Sequence, residues 1–275
     1  MKRLAAAFAA FAFGSVPAIA ADAIAFVTNV KGDVAIDGAA RASLLGELAK
    51  GQKINVARDS QLCVMYIATG KEYILKGPSD YLVKDNEIAG GLMPPVMRST
   101  EWRTSTKVLE NVAQSSAASV RMRSVPKPRA EVPLLVFPTA GRVSTLQPVF
   151  QWHENALGGD TNFALYVPGE EKPLHTAKAK GANYRLPVSL RPDTEYVWTL
   201  ASSGQEISSG RFRTLTADAL EQVERRRPSE RSEFSDRLLF TLMLQEMGAQ
   251  QEAHESWLRL SRERADLPEL AALAK

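Results

Sequence analysis

Short apolar segments, separated by turn-forming residues, fill two long stretches of the chain. In the first stretch they read AIAFVTNV, DVAID, KINVA, QLCVMYI, EYILK and YLVK, with breaks such as Lys31-Gly32 and Thr69-Gly70 between them. Runs of this length, rich in β-branched and aromatic residues, are typical of strands rather than helices. The pattern predicts a small all-β domain over residues 21–90.

The second stretch repeats this pattern after an interruption. Residues 132–215 contain LLVFP, PVFQW, NFALYV, NYRLPV, EYVWTLA and SGRFRTL, again with turn residues between them. Two packed sheets of such strands form a sandwich. Between the two stretches, AGGLMPP and PKPRAEVP break regular structure, so we predict a linker over residues 91–131.

The C-terminal residues 216–275 have a different periodicity. Thr216 is a candidate N-cap for a helix that stops before Pro228, and apolar residues then recur at helical spacing on both sides of Gly248. Two helices joined by a tight Gly-containing turn make a hairpin. The fold class we expect is mainly β and multidomain, with a C-terminal α-helical hairpin.

The first 20 residues have the features of a secretory signal. Lys2 and Arg3 precede an apolar stretch over residues 4–16, which is too short for an ordinary membrane span, and PAIA ends in small residues. We therefore expect cleavage near Ala20, a periplasmic or secreted location, and no transmembrane segment after cleavage.

Charge and cysteine content limit the function classes. Of the 34 Lys plus Arg residues, two lie in the predicted signal, which leaves 32 against 31 Asp plus Glu. This balance argues against nucleic acid as a partner, since nucleic-acid binders usually carry a strongly basic face. Cys63 is the single cysteine and lies in an apolar run, so we expect a buried hydrophobic residue and no disulfide within the chain.

The turn residues of the first domain resemble those of the periplasmic FecR-type domain. The matching positions are an opening Gly32 and Val34, Leu48 and Gly51 before a strand, Ser60, Gly70, and residues 77–79 before the closing strand. The resemblance implies a β-solenoid-like or sandwich-like module, found in transmembrane regulators of metal-uptake signalling and in secreted proteins. Those regulators have a membrane helix before this domain. Because a predicted signal peptide takes that place here, we do not expect direct control of a cytoplasmic sigma factor.

The segment LRPDTEYVW resembles the Leu-x-Pro-x-Thr-x-Tyr pattern of fibronectin type III and other immunoglobulin-like domains, and the positions that carry it are Leu190, Pro192, Thr194 and Tyr196. The resemblance implies that the tyrosine ring enters the core while its hydroxyl satisfies a backbone group. Trp152 is a candidate core partner.

The same segment contains two acidic residues whose close spacing raises the question of catalysis. Asp193 and Glu195 are either a working carboxylate pair or turn and surface residues. Strand alternation directs Glu195 away from the side on which Tyr196 lies, and Asp is favoured in turns. We therefore favour the turn interpretation, because a catalytic pair must converge on one substrate atom.

The helical hairpin resembles a single tetratricopeptide repeat at Leu244, Gly248, Ala253, Trp257 and Pro268. One repeat cannot cover its own apolar face, since repeat arrays need about three units for stability. Two covers remain open, the preceding helix with the sandwich, or a partner protein or second copy. For the second alternative, Trp257 and Leu260 are the candidate partner-binding residues.

Other chemistry finds little support in the sequence. The three histidines, His153, His175 and His254, lie in different elements without a second ligand at metal-binding spacing, and no phosphate-binding loop or nucleophile elbow is present. We expect no catalytic, cofactor or metal site. Arg121 and Arg123 lie in a basic run on the linker that is a candidate site for an anionic envelope polymer.

Together these patterns predict a noncatalytic exported binding or scaffold protein of the bacterial cell envelope. We expect it to contact an envelope protein, or a second copy of itself, through its β modules and helical hairpin. The alternatives are a binder of envelope polysaccharide or peptidoglycan, which would expose groove aromatics such as Trp102 or Tyr184, and a periplasmic sensor component of a signalling system.

Overall fold

The computed structural model describes residues 23–38, 40–100, 102, 134–153, 161–202 and 204–274. The predicted signal peptide, and Arg121 and Arg123 of the predicted linker, lie outside these ranges. Strands account for 41% and helices for 21% of the structure, so the prediction of a mainly β protein with a C-terminal helical part is confirmed. Among the described helices, none is both long and apolar enough to cross a membrane.

Two five-stranded antiparallel sheets form the first module. Its strands are β1 (Ala23–Lys31), β2 (Val34–Ile36), β3 (Ala40–Arg41), β4 (Glu47–Ala49), β5 (Lys53–Val56), β6 (Gln61–Tyr66), β7 (Lys71–Lys76), β8 (Ser79–Val83), β9 (Ile88–Gly90) and β10 (Val96–Ser99). The first sheet has the order β10-β7-β6-β1-β4 and the second the order β3-β2-β5-β8-β9. Residues of both sheets share one buried cluster.

A turn of this module shows why glycine is needed at one of the motif positions. Gly32 has φ +78°, and a Cβ there would collide with the Ser60 side chain. The Ser60 Oγ in turn accepts a hydrogen bond from the backbone N of Asp33 at 2.9 Å. Gly32 and Ser60, two of the residues that carry the FecR-type resemblance, are therefore in direct contact.

The second module consists of a three-stranded and a five-stranded sheet. Its strands are β11 (Leu135–Phe137), β12 (Arg142–Val143), β13 (Val149–Trp152), β14 (Thr161–Tyr166), β15 (His175–Ala179), β16 (Asn183–Arg185), β17 (Glu195–Ser202) and β18 (Gln205–Thr214). The sheet orders are β11-β13-β16 and β12-β18-β17-β14-β15, and β12 runs parallel to β18. These sheets enclose their own buried cluster, separate from that of the first module.

Tyr196 takes the position that the sequence pattern predicts. Its side chain is fully buried, and its hydroxyl accepts a hydrogen bond from the backbone N of Arg191 at 2.9 Å. Trp152 and Leu190 are buried in the same cluster, whereas Pro192 is exposed in the turn. The aromatic side chain thus fills the interior while its polar end is satisfied locally, as expected for a buried tyrosine.

Four helices follow the second module. They are α1 (Ala217–Arg226), α2 (Phe234–Glu246), α3 (Gln250–Glu263) and α4 (Pro268–Leu273). The Thr216 side chain accepts from the backbone N of Ala219 at 3.3 Å, which confirms it as the N-cap of α1. Gly248, at φ +84°, makes the turn between α2 and α3 and confirms the predicted hairpin.

The cover over the hairpin agrees with our prediction only in part, since the preceding helix α1 contributes to it but the first module takes the place of the sandwich. Buried residues of α2 and α3 belong to the same cluster as the first module, together with Val223 of α1, and α2 contacts β1. Strand β6 is buried at five consecutive positions, from Leu62 to Tyr66, so both faces of its sheet are covered. Because consecutive strand residues point to opposite faces, the other sheet covers one side and the helices cover the other. The C-terminal helices are therefore a layer of the first module.

Hydrogen bonds fix the same helices to both modules. Arg264 donates to the backbone O of Val30 at 2.6 Å, and its guanidinium lies 5.2 Å from the centre of the Phe234 ring. On the other side, the Gln251 side chain bonds the backbone of Thr139 and Val136 at 2.8 and 3.0 Å. The helices thus join the two β modules through specific contacts.

The linker that we predicted over residues 91–131 begins too early. Val96–Ser99 is strand β10, which pairs antiparallel with β7, and Trp102 is buried at 2% exposure in the cluster of the first module. The glycines and prolines of AGGLMPP form a tight connection between β9 and β10 rather than the start of a linker. Residues 103–133 lie outside the described part of the chain.

Candidate functional site

Asp193 and Glu195 are each engaged by an arginine of the neighbouring strand. Arg213 Nε lies 3.0 Å from Asp193 Oδ1, and Arg211 Nη1 lies 3.2 Å from Glu195 Oε1. Asp193 lies in the turn before β17 with φ +48°. The two carboxylates are therefore paired with different cations on the sheet surface, which agrees with the turn interpretation.

The thiol and the histidines do not form a cluster either. Cys63 is buried, and burial, with the charge of nearby Glu72, raises the pKa of its thiol to about 12. His153 and His254 are exposed, whereas His175 Nε2 is hydrogen-bonded to the Tyr184 hydroxyl at 2.6 Å. Among the described residues, no group of three His, Cys, Asp or Glu side chains is placed to hold a metal ion.

The predicted partner-binding residues of the hairpin are buried within the chain. Trp257 is 2% and Leu260 3% exposed, and both belong to the cluster shared with the first module. The Trp257 Nε1 donates to Gln245 Oε1 at 3.0 Å. Because these side chains are covered, they offer no surface to a partner, and their assignment as partner contacts is wrong.

The aromatic residues named for a polymer-binding groove are also covered. Trp102 is 2% exposed, with the Arg226 guanidinium 5.7 Å from its ring centre. Tyr184 is half-buried against His175, with the two ring centres 5.7 Å apart. Neither ring is presented on an open surface.

A group of charged side chains joins β7, β10 and α2. Arg98 donates through Nε to Glu72 at 2.8 Å, through Nη1 to Asp236 at 2.7 Å and through Nη2 to Ser235 at 2.9 Å, while Thr28 donates to Glu72 at 2.6 Å. We call Thr28, Glu72, Arg98, Ser235 and Asp236 the Arg98 cluster. Burial alone would lower the pKa of Arg98, but bonds and charges from Asp236 and Glu72 outweigh it and raise that pKa. The guanidinium therefore stays charged, and its hydrogen bonds connect strands β7 and β10 to helix α2.

Concave surfaces are the usual sites for small ligands. A cleft of about 420 Å³ lies between α1, α2, α3 and the second module, and its charged lining residues are Arg227, Glu230, Arg237, Glu252, Glu255, Arg259 and Glu263. Glu263 holds Arg237 through two bonds of 2.6 Å, and Ser144 donates to Glu252 at 2.8 Å. Because both charge signs are interspersed and several side chains bond within the chain, the cleft favours no particular class of ligand.

The second concave surface is a trough of about 1050 Å³ on the solvent side of the sheet that contains β5 and β8. Its polar centre is a hydrogen bond of 2.6 Å from Asn55 Nδ2 to Asp80 Oδ1. Tyr81, the aromatic residue of its lining, is 2% exposed, so its ring cannot stack on a ligand in the trough.

The most unusual surface is apolar and lies where β9 passes to β10. Leu92 is 88%, Met93 37%, Val96 54% and Met97 52% exposed. We call these four residues the apolar edge, because β10 is the first strand in the order of its sheet. Exposed apolar side chains on an edge strand are typical of interaction surfaces, and edge strands present backbone groups that a further strand can pair with.

The connection that carries the apolar edge is held in one conformation. Gly91 has φ +92°, and a Cβ there would collide with the Tyr81 ring and lie 2.6 Å from the Met93 carbonyl oxygen. The Leu92 backbone N donates to Ser79 Oγ at 2.7 Å, and the Tyr81 hydroxyl donates to the Met93 carbonyl at 3.0 Å. The exposure of Leu92 and Met93 is therefore imposed by the surrounding structure.

Two lysines lie on the strand next to β10. Lys71 is the register partner of Ser99 at one end of β10, and Lys76 lies at the far end of β7, beyond the Val96–Ile74 pair. Lys76 is exposed and Lys71 partly so, and neither forms an ion pair with a described residue. The apolar edge is thus bordered by positive charge.

No family model matches the chain, and no curated protein matches it.

Proposed function

We propose that the chain is a noncatalytic binding or scaffold protein of the bacterial cell envelope, exported by its N-terminal signal, that contacts another envelope protein through its first β module. The observation that carries the proposal is the apolar edge, a preformed and exposed apolar surface on an edge strand. Within this proposal the first module is FecR-like and the second is an immunoglobulin-like sandwich.

The helices have a different role in this proposal from the one their sequence suggests. Because their apolar face is covered by the first module, they act as an internal connector between the β modules. A rigid connection of this kind suits a scaffold, since it fixes the direction in which each module presents its surface. The partner contact is then made by strand β10.

Crosslinking in the intact envelope, followed by mass spectrometry, tests the proposal. A photoreactive residue is placed at Met97 of the mature chain and, as a matched control, at Ile207, which is 42% exposed on the second module. We expect a discrete envelope protein to be captured from position 97 and not from position 207. Failure to capture any envelope protein from the chain, with retention by isolated peptidoglycan or polysaccharide instead, would support the polymer-binding alternative.

A further inference from the structure

We propose that the apolar edge accepts an extended segment of the partner protein, added as a strand beside β10, with an apolar centre and acidic residues on both sides of it. This inference rests on the proposed function and specifies the chemistry of the partner. Four properties of the edge support it.

The first property is the position of β10 at the end of its sheet, among the described strands. Strand β10 pairs with β7 on one side, and none of the described strands lies on its other side. An extended peptide can pair with such an edge through main-chain hydrogen bonds, while neighbouring side chains provide the selectivity.

The second property is that apolar side chains are exposed on both faces of β10. Val96 is the partner of Ile74 and Met97 of Tyr73, and consecutive strand residues point to opposite faces. Both are about half exposed, at 54% and 52%. A strand that covers both side chains must therefore carry consecutive apolar residues at its centre. A strand with one solvent-exposed face would instead alternate apolar and polar residues.

The third property is that the surface is preformed. The hydrogen bonds of Leu92 and Met93 to Ser79 and Tyr81, with the tight fit at Gly91, hold the connection before any partner arrives. Less conformational entropy is lost on binding when the surface is already ordered.

The fourth property is charge. Lys71 and Lys76 are five residues apart on β7, which corresponds to about 17 Å along a strand. Because this separation is an odd number of residues, the two lysines point to opposite faces of the sheet. An added strand with one carboxylate on each face, at a similar separation, matches them. A second copy of this chain is a poorer match, because its own edge, residues 94–99, contains no acidic residue.

The test uses the full mature chain and an end-blocked peptide of about eight residues, with Glu near each end and Val and Ile at the centre. We expect the peptide to bind, and to slow amide hydrogen exchange over residues 96–98. Met97→Lys should weaken binding at least tenfold, while Ile207→Lys leaves it unchanged. Reversal of both lysines, Lys71→Glu with Lys76→Glu, should weaken binding roughly tenfold, and added salt should reduce the difference.

Two altered peptides keep the test independent of any folding defect in the variants. A peptide with N-methylated amides keeps its side chains but cannot pair with a strand, and a peptide with Lys in place of Glu has the wrong charge. Both should bind more weakly to the unaltered protein. Equal binding of all three peptides would overturn the inference.

The remaining outcomes separate this inference from the proposed function. If the chain forms a dimer in solution that Met97→Lys dissociates, a second copy occupies the edge and the acidic partner is wrong. If position 97 captures no envelope protein while other exposed positions do, the scaffold function stands and the edge assignment fails. If no position captures a protein, the function itself fails.

Discussion

Arg98 and Asp236 are 138 positions apart in the chain, and Arg98 Nη1 donates to Asp236 Oδ2 at 2.7 Å. The same guanidinium bonds Glu72, whose side chain is 1% exposed. This contact joins the edge strand β10 to helix α2. The surface that we propose for partner binding is therefore built on the strand that also fastens the C-terminal helices.

Removal of the Arg98 guanidinium should destabilise the protein strongly. Arg98→Met leaves the Glu72 carboxylate buried without its cation, which we expect to cost about 3 kcal/mol in the free energy of unfolding. Asp236→Asn should cost less, since the Asp236 side chain is 27% exposed and its loss leaves the Glu72 contact in place. Urea unfolding of both variants measures the difference. If both variants lose the same small amount of unfolding free energy, the Arg98 cluster does not hold the helices to the first module.

Removal of the helices should affect the two β modules differently. A chain that ends at Thr216 exposes the sheet face that α2 and α3 cover, so the first module should lose cooperative unfolding. The second module has its own cluster and should keep the ordered environment of Trp152 and Trp198. Near-ultraviolet circular dichroism and hydrogen exchange distinguish the modules. A first module that exchanges as slowly as in the full chain would contradict the shared core.

The Tyr196 hydroxyl should contribute less to the free energy of unfolding than the Tyr196 ring does. Tyr196→Phe removes the acceptor of the Arg191 N–H and should cost about 1 kcal/mol. Tyr196→Ala also empties a fully buried site and should cost about 4 kcal/mol. Chemical unfolding of the two variants measures both terms. A large loss from the Phe variant would indicate that the hydroxyl has a role beyond this turn.

The contact between Glu252 and Ser144 should depend on pH. Partial burial raises the pKa of Glu252 above its ordinary value of 4.5, although bonds from Ser144 oppose the shift. Because the folded state then holds the proton more tightly than the unfolded state, this group contributes stability at low pH that is lost as the pH rises through the raised pKa. Glu252→Gln should remove this dependence above pH 4.5, whereas Glu206→Gln, at an exposed position of the second module, serves as the control. Identical pH profiles for wild type and Glu252→Gln would contradict the shift.

Local patterns in the sequence were sufficient to predict most of the strands and helices. The buried Tyr196, the cap at Thr216 and the left-handed Gly248 all follow from short-range chemistry, and the structure places each as predicted. Strand β10 was missed because the glycines and prolines before it dominate the local pattern. Its pairing with β7 is a long-range contact that no short window contains.

The cover over the hairpin was missed for a related reason. Helical spacing around Trp257 shows that a face is apolar, but the spacing is the same whether the cover is a partner or a distant part of the chain. One signal was present in QLCVMYI, since a continuous apolar run is typical of a strand buried on both faces. That run indicated a further layer on the sheet, which the helices supply.

The most direct test of the partner contact is thiol labelling of Met97→Cys in the native envelope and in the purified protein. The natural Cys63 is buried and has a pKa of about 12, so it gives little background. Ile207→Cys is the exposed control. We predict that position 97 is labelled in the purified protein and protected in the envelope, while position 207 is labelled in both. Equal labelling of position 97 in the two preparations would contradict the apolar edge as the docking surface.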